Sequence, residues 1–343
     1  MRTLLTSLII LSSFLYGLSA TELPDKRNKA KKIVTATQRI YLPDYPGAHN
    51  PSIVKYNDDY ILTFRYLPNR FDLPWISYIG VVLLDESFEP ISSVQLLDTR
   101  LYSKETPSQS EDARIFVCNG KYYVVYNDNT EVTFPSMWDR RDMYIAELIC
   151  ENNQFILQKP IKLIHETKFS RVLWQKNWSP FEWNNMLLFS YSVNPHEVVC
   201  SNVDSGLCKP LYETYQPIQW YLGHLKGGTP AQKIGDEYYL AFFHSGIYTT
   251  STCSNHRDLW HYYMGAYTFS AEPPFTMTRI STSPIDAPSF YTFSNYDKRI
   301  IYPGGFVVEG STVYLAYGKD DSEIWIATID LNNLLGSMVP IYD

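Results

Sequence analysis

The chain has 343 residues, 45% of them apolar and 19% charged, which supplies a sizeable core and excludes global disorder. A formal net charge of −7 offers no basic face for a nucleic-acid backbone, so no nucleic-acid partner is expected. The 28 tyrosines, with 8 Trp and 17 Phe, lean towards β structure and towards surfaces that stack on flat ligands such as sugar rings.

Residues 1–20 read as a signal peptide: Arg2 supplies the positive end, residues 4–16 are mostly apolar, and Gly17-Leu18-Ser19-Ala20 offers small residues for cleavage. Once it is removed, no run reaches the roughly 18 apolar residues a bilayer-spanning helix needs, so no membrane span is expected. Residues 21–35 carry Lys26, Arg27, Lys29, Lys31 and Lys32 and read as a solvated basic linker. The expected destination is secreted, periplasmic or lumenal. No Gly/Ser/Pro-rich break interrupts the rest, so residues 36–343 read as one domain.

Within that domain one layout recurs five times. A small or polar residue, often followed by Pro, opens a short β-type run; a polar turn follows, then an aromatic-rich run with a polar end. The segments start at Asn50, Asp112, Ser179, Thr229 and Gly304 and end at Arg65, Asn127, Ser192, His244 and Lys319. Four have the same length and the third is two residues shorter. Their turns are Asn57-Asp58, Asn119-Gly120, Asn184-Asn185, Gly235-Asp236 and Glu309-Gly310, residue types that accept the positive φ of tight hairpins. Third strands follow at residues 78–82, 143–146, 263–266 and 324–327, and fourth strands at 91–97, 155–163 and 275–280. The fifth unit lacks a fourth strand of its own, which residues 36–42 would supply. The expectation is an all-β, five-bladed β-propeller with four antiparallel strands per blade, its ring closed by the N-terminal strand.

In such a hairpin the start of the first strand and the end of the second lie at one rim. If the first strands are innermost, those ten positions surround one mouth of the central channel, and nearly all are polar. A concave, polar, aromatic-flanked mouth is a default ligand site. The Tyr and Trp stripes elsewhere read chiefly as packing between blades.

Cys200 and Cys208 bracket a loop, so a local disulfide is expected. Cys118, Cys150 and Cys253 read as buried thiols. No metal site is expected, because Cys253, His256 and His261 match no ligand spacing and lack a fourth donor. Asn177-Trp178-Ser179 is formally a glycosylation sequon, but Pro180 follows, and no glycan is expected there.

Several motifs then point one way. Glu111-Asp112-Ala113-Arg114-Ile115 resembles the Glu-Asp-Pro-Arg-Ile motif of glycoside hydrolase family 130, the mannoside phosphorylases and related mannosidases. Lys176-Asn177-Trp178 is similar to that family's third-blade motif. Gly228-Thr229-Pro230 with Phe243-His244-Ser245-Gly246 resembles its fourth-blade pattern, and Tyr302-Pro303-Gly304-Gly305 with Tyr317-Gly318 and Asp321 resembles its last blade. The likeness spans residues 45–330. It implies that Asp112 is the proton donor of an inverting mechanism, acting on the glycosidic oxygen through a hydroxyl of the bound sugar. It further implies that Asn50, Arg65, Arg114, Asn177, His244 and Asp321 surround the sugar or the incoming nucleophile, with Lys226 near the acceptor.

Two departures stand out. Ala113 replaces the motif's Pro. The third blade also lacks the arginine that meets phosphate in the phosphorylases, and in Ser190-Tyr191-Ser192-Val193-Asn194-Pro195-His196 only His196 could substitute. Inorganic phosphate is therefore disfavoured as a co-substrate, and no cofactor is expected. The sequence points to an exported carbohydrate-active enzyme that cleaves or transfers β-mannosides or related glycosides: glycosidase, phosphorylase or glycosyltransferase. A non-catalytic glycan- or protein-binding propeller is the alternative, and the sequence does not identify the second carboxylate of an inverting hydrolase.

Overall fold

The computed structural model describes residues 32–69, 76–99, 108–129, 140–152 and 154–341. The expected signal peptide, and the expected linker as far as residue 31, lie outside the described residues. At the five inner turns, Asn57, Asn119, Gly120, Asn184, Asn185, Gly235 and Gly310 all have positive φ, the backbone state for which Asn and Gly are suited.

The strand β1 (Val34–Ile40) begins before the first blade, two residues earlier than the sequence suggested. Blade one contains β2 (His49–Tyr56), β3 (Asp59–Tyr66), β4 (Tyr78–Leu84) and a short β5 (Gln95–Leu96). Blade two contains β6 (Glu111–Cys118), β7 (Lys121–Asp128) and β8 (Asp142–Glu151), with an outer edge split into β9 (Gln154–Leu157) and β10 (Ile161–His165). Blade three contains β11 (Ser179–Trp183), β12 (Met186–Ser192), β13 (His196–Ser201) and β14 (Leu207–Thr214). In blade four the inner strand is interrupted at Pro230, giving β15 (Lys226–Gly227) and β16 (Gln232–Ile234), followed by β17 (Tyr238–Thr249), β18 (Leu259–Ser270) and β19 (Met277–Ile280). Blade five contains β20 (Lys298–Glu309), β21 (Thr312–Lys319) and β22 (Glu323–Asp330). Its fourth strand is β1, antiparallel to β22 from Val34 opposite Ile329 to Ile40 opposite Ile324. The ring closes as the repeat requires.

Buried apolar side chains divide among the blade boundaries, because alternate residues of a strand face opposite sides of its sheet. Leu62, Phe64, Val82 and Leu84 pack towards blade five with Val307, Ala316 and Ile326. Their neighbours Ile61, Val81 and Leu83 face blade two with Ile115, Val124 and Tyr126. The same division places Phe189 with blade two, Leu188 with blade four, and Phe242 with blade five. Five such clusters correspond to five blade boundaries. The fold is a five-bladed β-propeller.

At the axis the inner strands approach backbone to backbone. A Cβ on Gly304 would stand 1.9 Å from the Pro51 carbonyl oxygen, so only glycine fits there. Across the next boundary, the Ile115 amide donates to Ser52 Oγ at 3.1 Å.

The expected Cys200–Cys208 disulfide is absent: both are free thiols. The register explains why. Ser201 lies opposite Cys208 and Lys209 lies opposite Cys200, so the two thiols point to opposite faces of blade three. Cys208 belongs to the cluster shared with blade two, and Cys200 packs on the side of blade four.

Candidate active site

The pairing of the inner hairpin slips at the same place in blades one and two. In blade one the register breaks between His49 and Ser52, and in blade two between Glu111 and Arg114. The bulged residues are Asn50, with φ 50°, and Asp112, with φ 54°. Asn and Asp visit this left-handed region at low cost, and a bulge re-aims the side chain it carries. Here the two bulges bring their side chains together: Asn50 Nδ2 donates to Asp112 Oδ1 at 2.8 Å. In blade five the slip falls between Pro303 and Gly305, at Gly304, which contributes space instead of a side chain. Gly318 contributes space as well, since a Cβ there would lie 2.4 Å from Asn50 Oδ1.

Arg65 ends the second strand of blade one beside this pair. Its Nη1 lies 3.7 Å from Asp112 Oδ1, its Nη2 donates to Glu111 Oε1 at 2.8 Å, and its Nε donates to Ser77 Oγ at 2.9 Å. Glu111 also meets Arg141 at 2.9 Å and Lys176 at 2.7 Å. Burial alone would raise the Glu111 pKa, but Arg65, Lys176 and Arg141 outweigh it and hold the carboxyl far below its ordinary range. Glu111 is a permanent anion that fixes three cations. Asp112, immediately next to it, keeps 12% of its side chain open to the mouth.

Arg114 takes a different place from that implied by the resemblance. It has no exposed surface, and its guanidinium donates to the carbonyls of Gly227 and Gly228, to Asn177 Oδ1 at 3.1 Å and to the Tyr302 hydroxyl at 2.7 Å. It reaches Asp112 through the backbone oxygen, at 3.3 Å. Arg114 is a strut joining blades two to five under the site, and it orients Asn177 and Tyr302 within it.

On the fourth blade Lys226 pairs across the sheet with His244. His244 is 3% exposed, and its Nδ1 has no hydrogen-bond partner among the described residues. Burial, then Arg114 and Lys226, push its pKa well below the ordinary value, so the ring is neutral. Its ring contacts Tyr302, with centroids 4.8 Å apart, and stacks on Tyr262 at 6.0 Å. Asp321, at φ 52°, accepts from Lys298 at 3.1 Å. Burial raises its pKa, but His49, Lys298 and Arg65 together carry it below the usual value, so it too is an anion. Lys226 forms no ion pair among the described residues; partial desolvation and Lys176 lower its pKa.

Among the candidates, Asn50, Arg65 and Asp112 are brought into direct contact, and Asn177, His244 and Asp321 stand around them. The remaining rim positions divide. Lys319 turns outwards, donating to Ser289 O at 2.7 Å and to Thr292 Oγ1 at 2.8 Å. His196, the suggested substitute for the missing arginine, is fully buried, with its ring nitrogens bonded to Phe275 O and Ser190 Oγ and its pKa pushed down to about 4 by burial. It supports the boundary between blades three and four and is unavailable to an anion.

Sequence reasoning passed over Arg141, Tyr262 and Lys298, and gave Tyr302 only as part of a motif. Arg141 and Tyr262 could have been found, because a third strand starts at the rim where the second ends. Asp128, at the end of β7, is buried and accepts from Ser110 Oγ at 2.6 Å. Burial is the main cause that raises its pKa to about 6, against the opposing hydrogen bonds from Ser110 and Asn129.

No protein-family model and no curated protein matches the chain. Solved structures do match it in shape. A β-1,2-mannobiose phosphorylase from Listeria innocua, in complex with β-1,2-mannobiose, aligns with a TM-score of 0.57 at 15% identity, over 90% of this chain and 94% of that one. The mannose phosphorylase MPT-4 from Leishmania mexicana, in complex with phosphate, aligns at 0.58 and 13% identity, over 92% and 94%. A structure described with the GH130 mannoside phosphorylases, a family said to contain hydrolases of β-1,2 mannosidic linkages in Candida mannan, aligns at 0.60 and 14%, over 90% and 93%. The fold is that of the GH130 propellers. At such identities the likeness concerns the fold. In this chain Asp112 and Asn50 stand on matching bulges at the starts of the inner strands of blades two and one.

Proposed function

We propose that the chain is a carbohydrate-active enzyme that cleaves or transfers β-mannosides or related glycosides with inversion, using Asp112 as the proton donor. One observation carries this reading: the Asp112 carboxyl stands on a bulge at the channel mouth, partly open, between Asn50 and Arg65, while Glu111 anchors Arg65, Arg141 and Lys176 beside it. A protonated Asp112 would give its proton to a sugar hydroxyl, which passes its own to the glycosidic oxygen as the C–O bond breaks. Water or an acceptor sugar hydroxyl attacks from the opposite face as that bond breaks, inverting the anomeric carbon and losing its own proton to solvent. Anionic Asp321, neutral His244 and Asn177 suit recognition of sugar hydroxyls, because each offers a fixed polar atom in a shielded wall.

Hydrolysis or transfer to a sugar fits this mouth better than phosphorolysis. His196 is enclosed, and Arg65, Arg141 and Lys176 are already paired with Glu111. A phosphate dianion would have to compete with Glu111 for those guanidiniums, and Lys226, which forms no ion pair among the described residues, offers a point charge in place of a bidentate fork. The sequence of residues 1–20 supports export of the same enzyme.

The deciding experiment is turnover of β-1,2-mannobiose by wild type and Asp112→Asn at several phosphate concentrations. Asn retains the shape but has no acidic proton, so the rate should fall by about 10²–10⁴-fold, the usual loss for a general acid. Wild-type activity should be nearly indifferent to phosphate. Equal rates in the two proteins eliminate Asp112 as the acid, and strict phosphate dependence with a sugar 1-phosphate product makes the chain a phosphorylase.

A further inference from the structure

The strands β17 and β18 do not stop at the channel mouth. His244 marks the rim, yet the pair continues through Gly246 opposite Tyr262 and Tyr248 opposite Trp260. Paired residues share a face, and alternate residues along a strand share it too, so these side chains lie on the face that carries His244. They form a ladder of rings. His244 stacks on Tyr262 with an interplanar angle of 20°, Tyr262 meets Trp260 edge-on at 6.1 Å, and Trp260 meets Tyr248 at 5.9 Å.

Exposure rises along this ladder, from 3% at His244 to 44% at Trp260 and 61% at Tyr248. The inner blade-packing rings, such as Phe242 and Phe243, are fully buried, whereas Trp260 and Tyr248 are exposed and lie outside the buried clusters at the boundaries of this blade. Gly246 is part of the device: a Cβ there would stand 2.6 Å from the Tyr262 ring, so glycine lets that ring lie flat across the partner strand. The ladder is tied to the site at a second point, farther out. Lys298, which binds Asp321, lies beside Trp260 where β18 and β20 run parallel.

We infer that Tyr262, Trp260 and Tyr248 form a track for the sugar units of an oligosaccharide beyond the one held at Asp112. This rests on the glycoside reading above and gives it a substrate class: chains longer than a disaccharide. The occupant follows from continuity, because the track starts on a ring of the candidate site and leads outwards from it. Its chemistry agrees. One face of a pyranose is a patch of C–H groups that packs on an aromatic ring, while its hydroxyls reach the phenol and indole polar ends. From His244 to Tyr248 the strand advances on the order of 13 Å at ~3.3 Å per residue, room for two to three pyranose rings in line.

The test is binding, which needs no turnover. The full chain carrying Asp112→Asn is titrated with β-1,2-linked and β-1,4-linked manno-oligosaccharides of two to five units, with and without Trp260→Ala and Tyr248→Ala. Calorimetry and tryptophan fluorescence serve as readouts. Each added ring contact should tighten binding by about 2–12-fold, the aromatic contact energy converted to affinity, and the outer substitutions should remove most of that gain. Both outer side chains are exposed, so the variants should melt close to the parent. Three results overturn the inference. Binding of a disaccharide with no gain for longer chains removes the track and leaves the site standing. A gain that survives both substitutions puts it elsewhere. Sedimentation as a dimer that Trp260→Ala dissolves assigns the rings to a second copy. Failure of every saccharide, at every length, would sink the glycoside reading together with the track.

Discussion

Asp112 and Glu111 are adjacent acids with opposite tasks, and the bulge separates them. Glu111 lies opposite Asn127 in the regular ladder and points into a cage of Arg65, Arg141 and Lys176; Asp112 is displaced from the ladder towards the mouth. The cage belongs to a longer chain of contacts. Arg65 Nε donates to Ser77 Oγ, Ser77 donates to the Ser110 carbonyl at 2.6 Å, and Ser110 Oγ donates to Asp128. Asp128 supplies a testable residue-scale consequence. Its pKa is raised from 3.8 to about 6 on folding, so between those values the native state holds a proton that the unfolded chain has lost. Stability therefore falls as pH rises through that window, and the full penalty, about 3 kcal/mol from 1.36 kcal/mol per pKa unit, applies above it. Asp128→Asn keeps an acceptor for Ser110 without the charge. In urea unfolding the variant should be more stable than wild type by up to ~3 kcal/mol near pH 8, and the difference should vanish below about pH 3. A difference that does not change with pH would show that Asp128 is not the titrating group.

At the scale of elements, the inner hairpins were the most legible part of the sequence. Their turns demand positive φ and their aromatic second strands are buried on both faces, so both signals are strong. The outer strands were not. Blade one ends in the two-residue β5, and blade two divides its outer edge between β9 and β10. An outermost strand has solvent on one edge and few packing demands, so its sequence carries little pattern. The start of β20 was also hidden: the segment was expected to open at Gly304, but pairing begins at Lys298 because the first residues add to β18. At the site, strand starts identified Asn50 and Asp112. The fate of Arg114 depended on the carbonyls of Gly227 and Gly228, which only the third dimension brings near. The cysteine pairing failed for a similar reason, since one residue of register decides the face of a sheet. Gly318 tests the element-scale account. Gly318→Ala would place a methyl 2.4 Å from Asn50 Oδ1 and 2.7 Å from its backbone nitrogen, displacing the Asn50–Asp112 contact. Turnover should drop by about tenfold or more for a loss of ~1.4 kcal/mol in the transition state. Unchanged kinetics would mean that Asn50 does not position the acid.

For the whole molecule, the site exists only because the ring is closed: Asn50 comes from blade one, Asp112 from blade two, His244 from blade four and Asp321 from the rim of blade five. Closure depends on β1, which joins the end of the chain's last blade from its beginning. Val34 is 2% exposed and Ile40 is 5% exposed, and both lie in clusters that blade five shares with its neighbours. Removing two such side chains from the core forfeits about 3–6 kcal/mol, before the ladder to β22 is counted. Total stabilities are ~5–15 kcal/mol, so an open ring should be marginal. A chain starting at Lys32 and a chain starting after Ile40 therefore make a sharp comparison by urea unfolding and mannoside binding. The first should unfold cooperatively and bind. The second should lose most of its unfolding midpoint and its affinity together, because blades one and five are no longer held in register across the mouth. Adding a peptide of residues 32–42 should restore both by occupying the exposed edge of β22. Equal midpoints in the two chains would show that the ring does not depend on this strand, and stability without binding would show that closure serves the site alone.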